Sequence, residues 1–224
     1  MNSRVFIIGD IHGCNKTFNS LLYDNLRVNT EDKIYLLGDY IDRGPDSCGV
    51  VDTILNLQAN GYELECLIGN HEQMLLDSLN SIEDFQLWMQ NGAVNTLKSF
   101  GIEYIQSLPM KYVNFFKNLN FFIELDNYIL VHGGLNFSID DPLQDKSSMV
   151  WKRNTTVEKE KIGGKRIIVG HTPVDKNTVI ESLNTDRIML DAGCVYHGFY
   201  RNLGYLAALE LNTGELFFKE NVDF

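Results

Sequence analysis

The chain has 224 residues, 44% of them hydrophobic and 11% aromatic, enough to bury a proper core in one domain. A formal net charge of −11 repels phosphates on average; it excludes a general nucleic-acid or anionic-membrane binder but leaves room for a local metal-filled pocket that holds one phosphate. No run reaches the ~18 consecutive apolar residues of a membrane span, and the opening MNSRVFIIGD carries no signal-peptide cleavage pattern, so the expected compartment is the cytoplasm.

In chain order, the first predicted strand is RVFIIGD (4–10), followed by a helical stretch at 15–26. KIYLLGD (33–39) is the second strand, 46–60 the second helix and LECLIGN (64–70) the third strand, which makes β-α-β-α-β. Residues 71–120 are expected to be mostly helical, punctuated by Gly92, Gly101 and Pro109. FFIELDNYILVHGG is predicted to form a hairpin turning at Asp126-Asn127, and LAALELNTGELFFKE another at Asn212-Thr213-Gly214, with RIIVGH (166–171) between them. The last third is thus expected to be mostly β. Near-continuous apolarity in the strands implies burial on both faces, as in an α/β sheet. No linker, repeat or low-complexity tract interrupts the chain, so one domain, 1–224, is expected.

Each apolar run ends in a glycine or histidine and then a polar cluster: Asp10 and His12; Asp39, Asp42 and Arg43; Asn70 and His71; His132; His171. Four of the five histidines sit at these ends, where open α/β sheets bind ligands. Asp10 and His12 are two apart, so in extended chain both side chains point the same way, as two ligands of one ion require. Carboxylate, imidazole and amide oxygen together suit a borderline-hard divalent ion such as Mn²⁺, Fe²⁺ or Zn²⁺. The four cysteines, Cys14, Cys48, Cys66 and Cys194, form no CxxC pair and no Cys-x5-Arg loop, and are read as small buried hydrophobes. GGKR (163–166) lacks the glycine spacing of a phosphate-binding P-loop.

GDIHG (9–13), GDYIDRG (38–44), GNHE (69–72), HGG (132–134) and GHTP (170–173) together resemble the phosphoprotein phosphatase family of binuclear metallophosphoesterases, above all its compact bacterial and phage branch. WMQNGA (88–93), Trp151-x-Arg153 and DAGCV (191–195) look like the same branch. The resemblance implies an α/β calcineurin-like metallophosphoesterase fold, a central β-sandwich of mixed sheets flanked by helices. It implies two divalent ions, Mn²⁺ first and Fe or Zn as alternatives, one bound by Asp10 and His12, the other by Asn70, His132 and His171, with Asp39 bridging both. Direct attack of a hydroxide shared by the ions would hydrolyse a phosphorylated protein or a small phosphoester. By the same likeness His71 is the general acid to the leaving oxygen, oriented by Asp42. Arg43 and Arg153 are expected to grip the phosphate. Glu72 is expected to support the metal site or the helix start, His197 to stand at the rim, and Phe85 and Trp88 to form a helical packing face.

The chain departs from that pattern before GNH, where many relatives carry an arginine and this one has Ile68. The apolar residue resembles symmetrical diadenosine tetraphosphate hydrolases. Those enzymes tend to have a non-acidic residue at the Asp42 position and GNHD in place of GNHE, so Asp42 and Glu72 direct the expectation toward phosphoserine and phosphothreonine hydrolysis, with phosphotyrosine as a further substrate and symmetrical diadenosine tetraphosphate hydrolysis on the same two-metal site as the alternative.

Overall fold

The structure, a computed structural model, describes residues 3–153 and 156–224. One mixed sheet of five strands has the order β3-β2-β1-β8-β9, formed by β1 (Val5–Ile8), β2 (Lys33–Leu36), β3 (Glu63–Cys66), β8 (Tyr205–Glu210) and β9 (Glu215–Glu220). The other has four strands in the order β4-β5-β6-β7: β4 (Phe122–Glu124), β5 (Tyr128–Val131), β6 (Arg166–Val169) and β7 (Arg187–Met189). Strands β1, β2 and β3 run parallel, as do β5, β6 and β7, whereas β8, β9 and β4 pair antiparallel to their neighbours. Helices α1 (Asn15–Ser20) and α2 (Ser47–Ala59) cross between the first three strands, and α1 runs on into a π-helical stretch at Leu21–Leu26. A helical block of α3 (Asn70–Ser78), α4 (Ile82–Gln90), α5 (Ala93–Ser99) and α6 (Met110–Lys117) precedes the second sheet, and α7 (Lys146–Trp151) and α8 (Lys176–Ser182) flank β6.

The unbroken apolar runs have a simple cause. Side chains alternate across a strand, and both faces of the inner strands meet a core. In β1, Phe6 and Ile8 pack toward the helices with Ile34, Leu36 and Ile54, while Ile7 faces the other sheet with Tyr35, Leu130, Ile168 and Ala207. In β5 and β6, Leu130 and Ile168 point between the sheets, and Ile129, Val131, Ile167 and Val169 form a third cluster outside with Met149. Both hairpins turn where expected.

Two expectations are corrected. Strand β3 is an edge strand with Glu63 and Glu65 exposed and Leu64 and Cys66 buried, so it is covered on one face only. The last third is not mostly β: short strands there are separated by α8, 3₁₀ turns and long connections. Among the described residues no helix is long and apolar enough to cross a membrane.

Candidate metal centre

The carboxyl ends of β1, β2 and β3 lie side by side, those of β5 and β6 do the same in the other sheet, and the loops leaving them meet. They bring together Asp10, His12, Asp39, Asn70, His71, His132 and His171, all buried. The ligating atoms of His12, Asp39 and His71 lie within 4.8 Å of one another, as do those of Asp39, His132 and His171. Asp39 thus belongs to both groups, whereas Asp10 belongs to neither and His71 stands in the first group.

Tight loops are needed to aim so many side chains at one point, and the backbone shows their cost. Of the seven non-glycine residues with positive φ among those described, five are His12, Asp39, Asp42, Arg43 and His171. Such conformations cost on the order of 1–3 kcal/mol each and persist where surrounding structure enforces them. His12, at φ 47°, is therefore not in extended chain, the conformation on which the pairing of Asp10 and His12 was argued. Asp10 Oδ2 accepts the His171 N–H at 2.9 Å, which ties it to the loop after β6.

The imidazoles are held in defined tautomers. His12 Nδ1 donates to the Ile41 carbonyl at 2.8 Å, and His132 Nδ1 to the Leu37 carbonyl at 2.8 Å. In both, Nδ1 is fixed as the donor and Nε2 is the nitrogen turned to the centre, the usual way a backbone acceptor orients a metal-binding histidine. Burial alone would lower His132, but Asp39 and then Asp10 outweigh it and push it up to about 10. Burial, then the Arg43 and His71 charges, push the His12 pKa well down. Burial and the His132 charge take His171 down to about 3. Burial alone would raise Asp39, but His132, His71 and His12 outweigh it and hold the carboxyl well below its ordinary range. For Asp10, burial and then the neighbouring Asp191 push the carboxyl well up.

Asn70 Oδ1 lies 2.7 Å from His171 Nδ1 and 3.1 Å from His132 Nε2. Asp10 Oδ1 and His171 Nε2 are buried with no hydrogen-bond partner among the described residues. Unpaired buried donors and acceptors of this kind are costly, and here they stand among carboxylate, amide and imidazole groups. The donor set fits divalent metal.

His71 behaves differently from the other histidines. Its Nδ1 is 2.6 Å from Asp42 Oδ2, and its Nε2 is 4.0 Å from Asp39 Oδ2. Asp42, 0% exposed, is saturated by donors: Trp88 Nε1 reaches Oδ2 at 2.8 Å and Thr96 Oγ1 reaches Oδ1 at 2.6 Å. Trp88 was expected merely to pack; it is 0% exposed and also fixes the carboxylate. Sequence reasoning missed Thr96 altogether. The WMQNGA segment and α5 after it further support the Asp42-Arg43 turn, since the Gly92 carbonyl accepts the Arg43 N–H at 3.3 Å and Asn95 Nδ2 donates to the Arg43 carbonyl.

Glu72 performs the support role expected of it. Its carboxylate accepts the N–H groups of Gly69 and Asp39 at 2.9 Å, Tyr40 at 2.8 Å and Ile41 at 3.3 Å. One side chain thereby ties the start of α3 to the loop after β2. The first turn of α3 also holds Asp39, whose Oδ1 accepts the His71 N–H at 3.1 Å, an anion at a helix N-terminus. Arg43 Nη1 donates to His12 Nε2 at 2.7 Å, and its guanidinium lies 5.6 Å from the Tyr196 ring centroid. Arg153 is exposed, near enough for its charge to act on His171. His197, which belongs to neither group, lies with its Nδ1 4.0 Å from Glu220 Oε1. Ile68 is 3% exposed and packs in the helix-side core. The cysteines are free, with Cys14, Cys66 and Cys194 buried and Cys48 partly so.

Two mixed sheets with a buried carboxylate–imidazole centre at their joined strand ends define a metallophosphoesterase. The family model for calcineurin-like phosphoesterases matches residues 3–212, and the chain belongs to that family. It is similar to a symmetrical bis(5'-nucleosyl)-tetraphosphatase of Nitrosomonas europaea, 33% identical over 138 residues, covering 60% of this chain and 47% of the relative. It is also similar to serine/threonine-protein phosphatase 1 of Salmonella typhimurium, 38% identical over 89 residues, covering 40% of this chain and 38% of the relative. The chain thus spans less than half the length of these curated relatives. Among solved structures, a protein described as a candidate diadenosine tetraphosphatase superposes with a TM-score of 0.70 at 23% identity, covering 100% of this chain and 96% of that one. A serine/threonine phosphatase of Saccharomyces cerevisiae gives 0.70 at 17% identity, covering 100% and 81%. These superpositions show the shared fold.

Proposed function

We propose that the chain is a two-metal phosphohydrolase that splits dinucleoside tetraphosphates symmetrically, water adding across the central anhydride to give two nucleoside diphosphates. Asp10, His12 and Asp39 would hold one ion, and Asp39, Asn70, His132 and His171 the other. Mn²⁺ is the first candidate and Fe or Zn the alternatives, since availability selects among such ions as much as ligands do. Bound there, the ions supply Lewis-acid neutralisation of the phosphoryl oxygens and lower the pKa of water. Arg43 and Arg153 bring positive charge to the mouth of the site for the rest of the phosphate chain, and His71, oriented by Asp42, gives a proton to the departing oxygen.

The observation that carries the substrate class is Ile68. It is fixed in the core, so the position before Gly69 supplies no phosphate contact, the pattern that resembles the symmetrical hydrolases. The residues that favoured phosphoproteins lose that weight. Asp42 and Glu72 are both 0% exposed and spend their oxygens on His71, Trp88, Thr96 and four backbone N–H groups. Neither can touch a substrate. The similarity to the Nitrosomonas tetraphosphatase supports the same reading.

A second reading, hydrolysis of phosphoserine or phosphothreonine in proteins, has one observation in its favour. The Asp42–His71 pair is a built proton donor, and an alcohol leaving group needs that proton far more than a nucleoside diphosphate does. Purified protein with Mn²⁺ separates the two. We expect a higher kcat/KM on diadenosine tetraphosphate than on phosphopeptides, ADP as the sole nucleotide product, and loss of turnover on chelation. Faster phosphopeptide turnover, or ATP plus AMP as products, overturns the proposal.

A further inference from the structure

Beside the metal centre, on the side of Arg43, lies a cavity of about 530 Å³ lined by Arg43, Asn95, Tyr196, Phe199, Tyr200 and Phe224. Its volume is within the range of small-molecule sites, about 300–1,000 Å³. Phe199 is 73% exposed, Tyr200 62% and Phe224 58%, so half of the six exposed aromatic side chains among the described residues gather at this one place. Tyr196 and Tyr200 meet edge to face, centroids 5.5 Å apart at 78°, so the wall is a corner with one ring face and one ring edge.

Arg43 joins this corner to the reaction site. One end of its guanidinium reaches His12 Nε2 at 2.7 Å, and the plane lies 5.6 Å from the Tyr196 centroid. A ligand that uses both ends must carry phosphate on one side and a flat, polarisable group a short distance away on the other. Arginine also stacks on such rings.

We propose that this corner is a nucleobase subsite, in which a base of the dinucleotide stacks against the Tyr196–Phe199–Tyr200 wall while its phosphates reach Arg43 and the metal centre. The inference deepens the dinucleotide reading and rests on it for the substrate, but it makes its own claim about binding. Stacking tolerates any base, because every base has a π-face. The subsite thus selects for a nucleoside and is indifferent to which one.

The test is calorimetric binding of ADP and of pyrophosphate to the Mn²⁺-loaded protein, for the natural chain and for the Phe199→Ala/Tyr200→Ala variant. Neither side chain is buried, and unchanged pyrophosphate affinity shows that the variant keeps its phosphate site. The expected result is ADP bound more tightly than pyrophosphate by the natural chain, with that preference reduced roughly 5- to 150-fold in the variant, the range one stacked base is worth. Equal affinity for the two ligands in the natural chain overturns the subsite. If diadenosine tetraphosphate is cleaved but the variant binds ADP like the natural chain, the subsite fails and the function stands. If the dinucleotide is not cleaved but the aromatic-dependent ADP preference appears, the function fails and the subsite stands.

Discussion

His71 and Asn70 are neighbours in the chain with separate tasks, because both stand in the first turn of α3, where successive side chains point in different directions. Asn70 Oδ1 sits among His132 and His171, while His71 Nδ1 is committed to Asp42. His71→Asn should therefore lower turnover by roughly 10²–10⁴-fold, the usual contribution of a positioned acid, with metal content by elemental analysis unchanged. Loss of metal instead would place His71 among the ligands, as its closeness to His12 and Asp39 allows. The indole behind Asp42 offers a gentler probe. Trp88→Phe keeps most of the buried volume and deletes one hydrogen bond to a carboxylate, worth about 1.5–3 kcal/mol. We expect kcat to fall with KM little changed, since Trp88 is 0% exposed and touches no substrate. A change confined to KM would contradict that positioning role.

At the scale of the elements, what the sequence revealed was the alternation of apolar strand and polar end. Strands β1, β2, β5 and β6 and the loops after them lie where GDIHG, GDYIDRG, HGG and GHTP put them, because a doubly buried strand leaves a plain apolar signature. The supports of the site left no such signature. Thr96 and Trp88 reach Asp42 from helices more than 40 residues away in the chain, and a hydrophobic helix face gives no sign that its indole N–H is engaged. The positive φ of His12 and Asp39 was equally hidden, since neither residue is a glycine to advertise it. The glycines beside the site show the opposite case, a spacing fixed by close approach. A Cβ on Gly69 would lie 2.1 Å from Asp39 Oδ1, and one on Gly170 would lie 2.1 Å from Asp10 Oδ1. Gly69→Ala and Gly170→Ala should each displace a carboxylate and cut metal stoichiometry at micromolar Mn²⁺, while far-UV circular dichroism keeps its native shape. Full metal occupancy in both would mean that the loops yield more easily than their packing implies.

For the whole molecule, the centre joins two sheets whose shared core is apolar and non-directional. Asp10, Asp39 and Asn70 leave the first sheet, and His132 and His171 leave the second. Ions held between them would bind the folded chain and find no such cluster in the unfolded one, so their affinity becomes stability by mass action. At a free concentration a hundred times Kd, one ion contributes about 2.7 kcal/mol. In a chain of this size 1 kcal/mol moves Tm by roughly 2–4 °C, so chelation should lower Tm by about 5–11 °C per ion lost. The Tm should also climb with the logarithm of Mn²⁺ concentration above Kd, as mass action requires of a ligand that binds only the folded chain. His171→Ala separates the clamp from any general effect of the ion: it removes a ligand of the second sheet, and its Tm should respond less to Mn²⁺ than that of the natural chain. An unchanged response would show that His171 holds no ion.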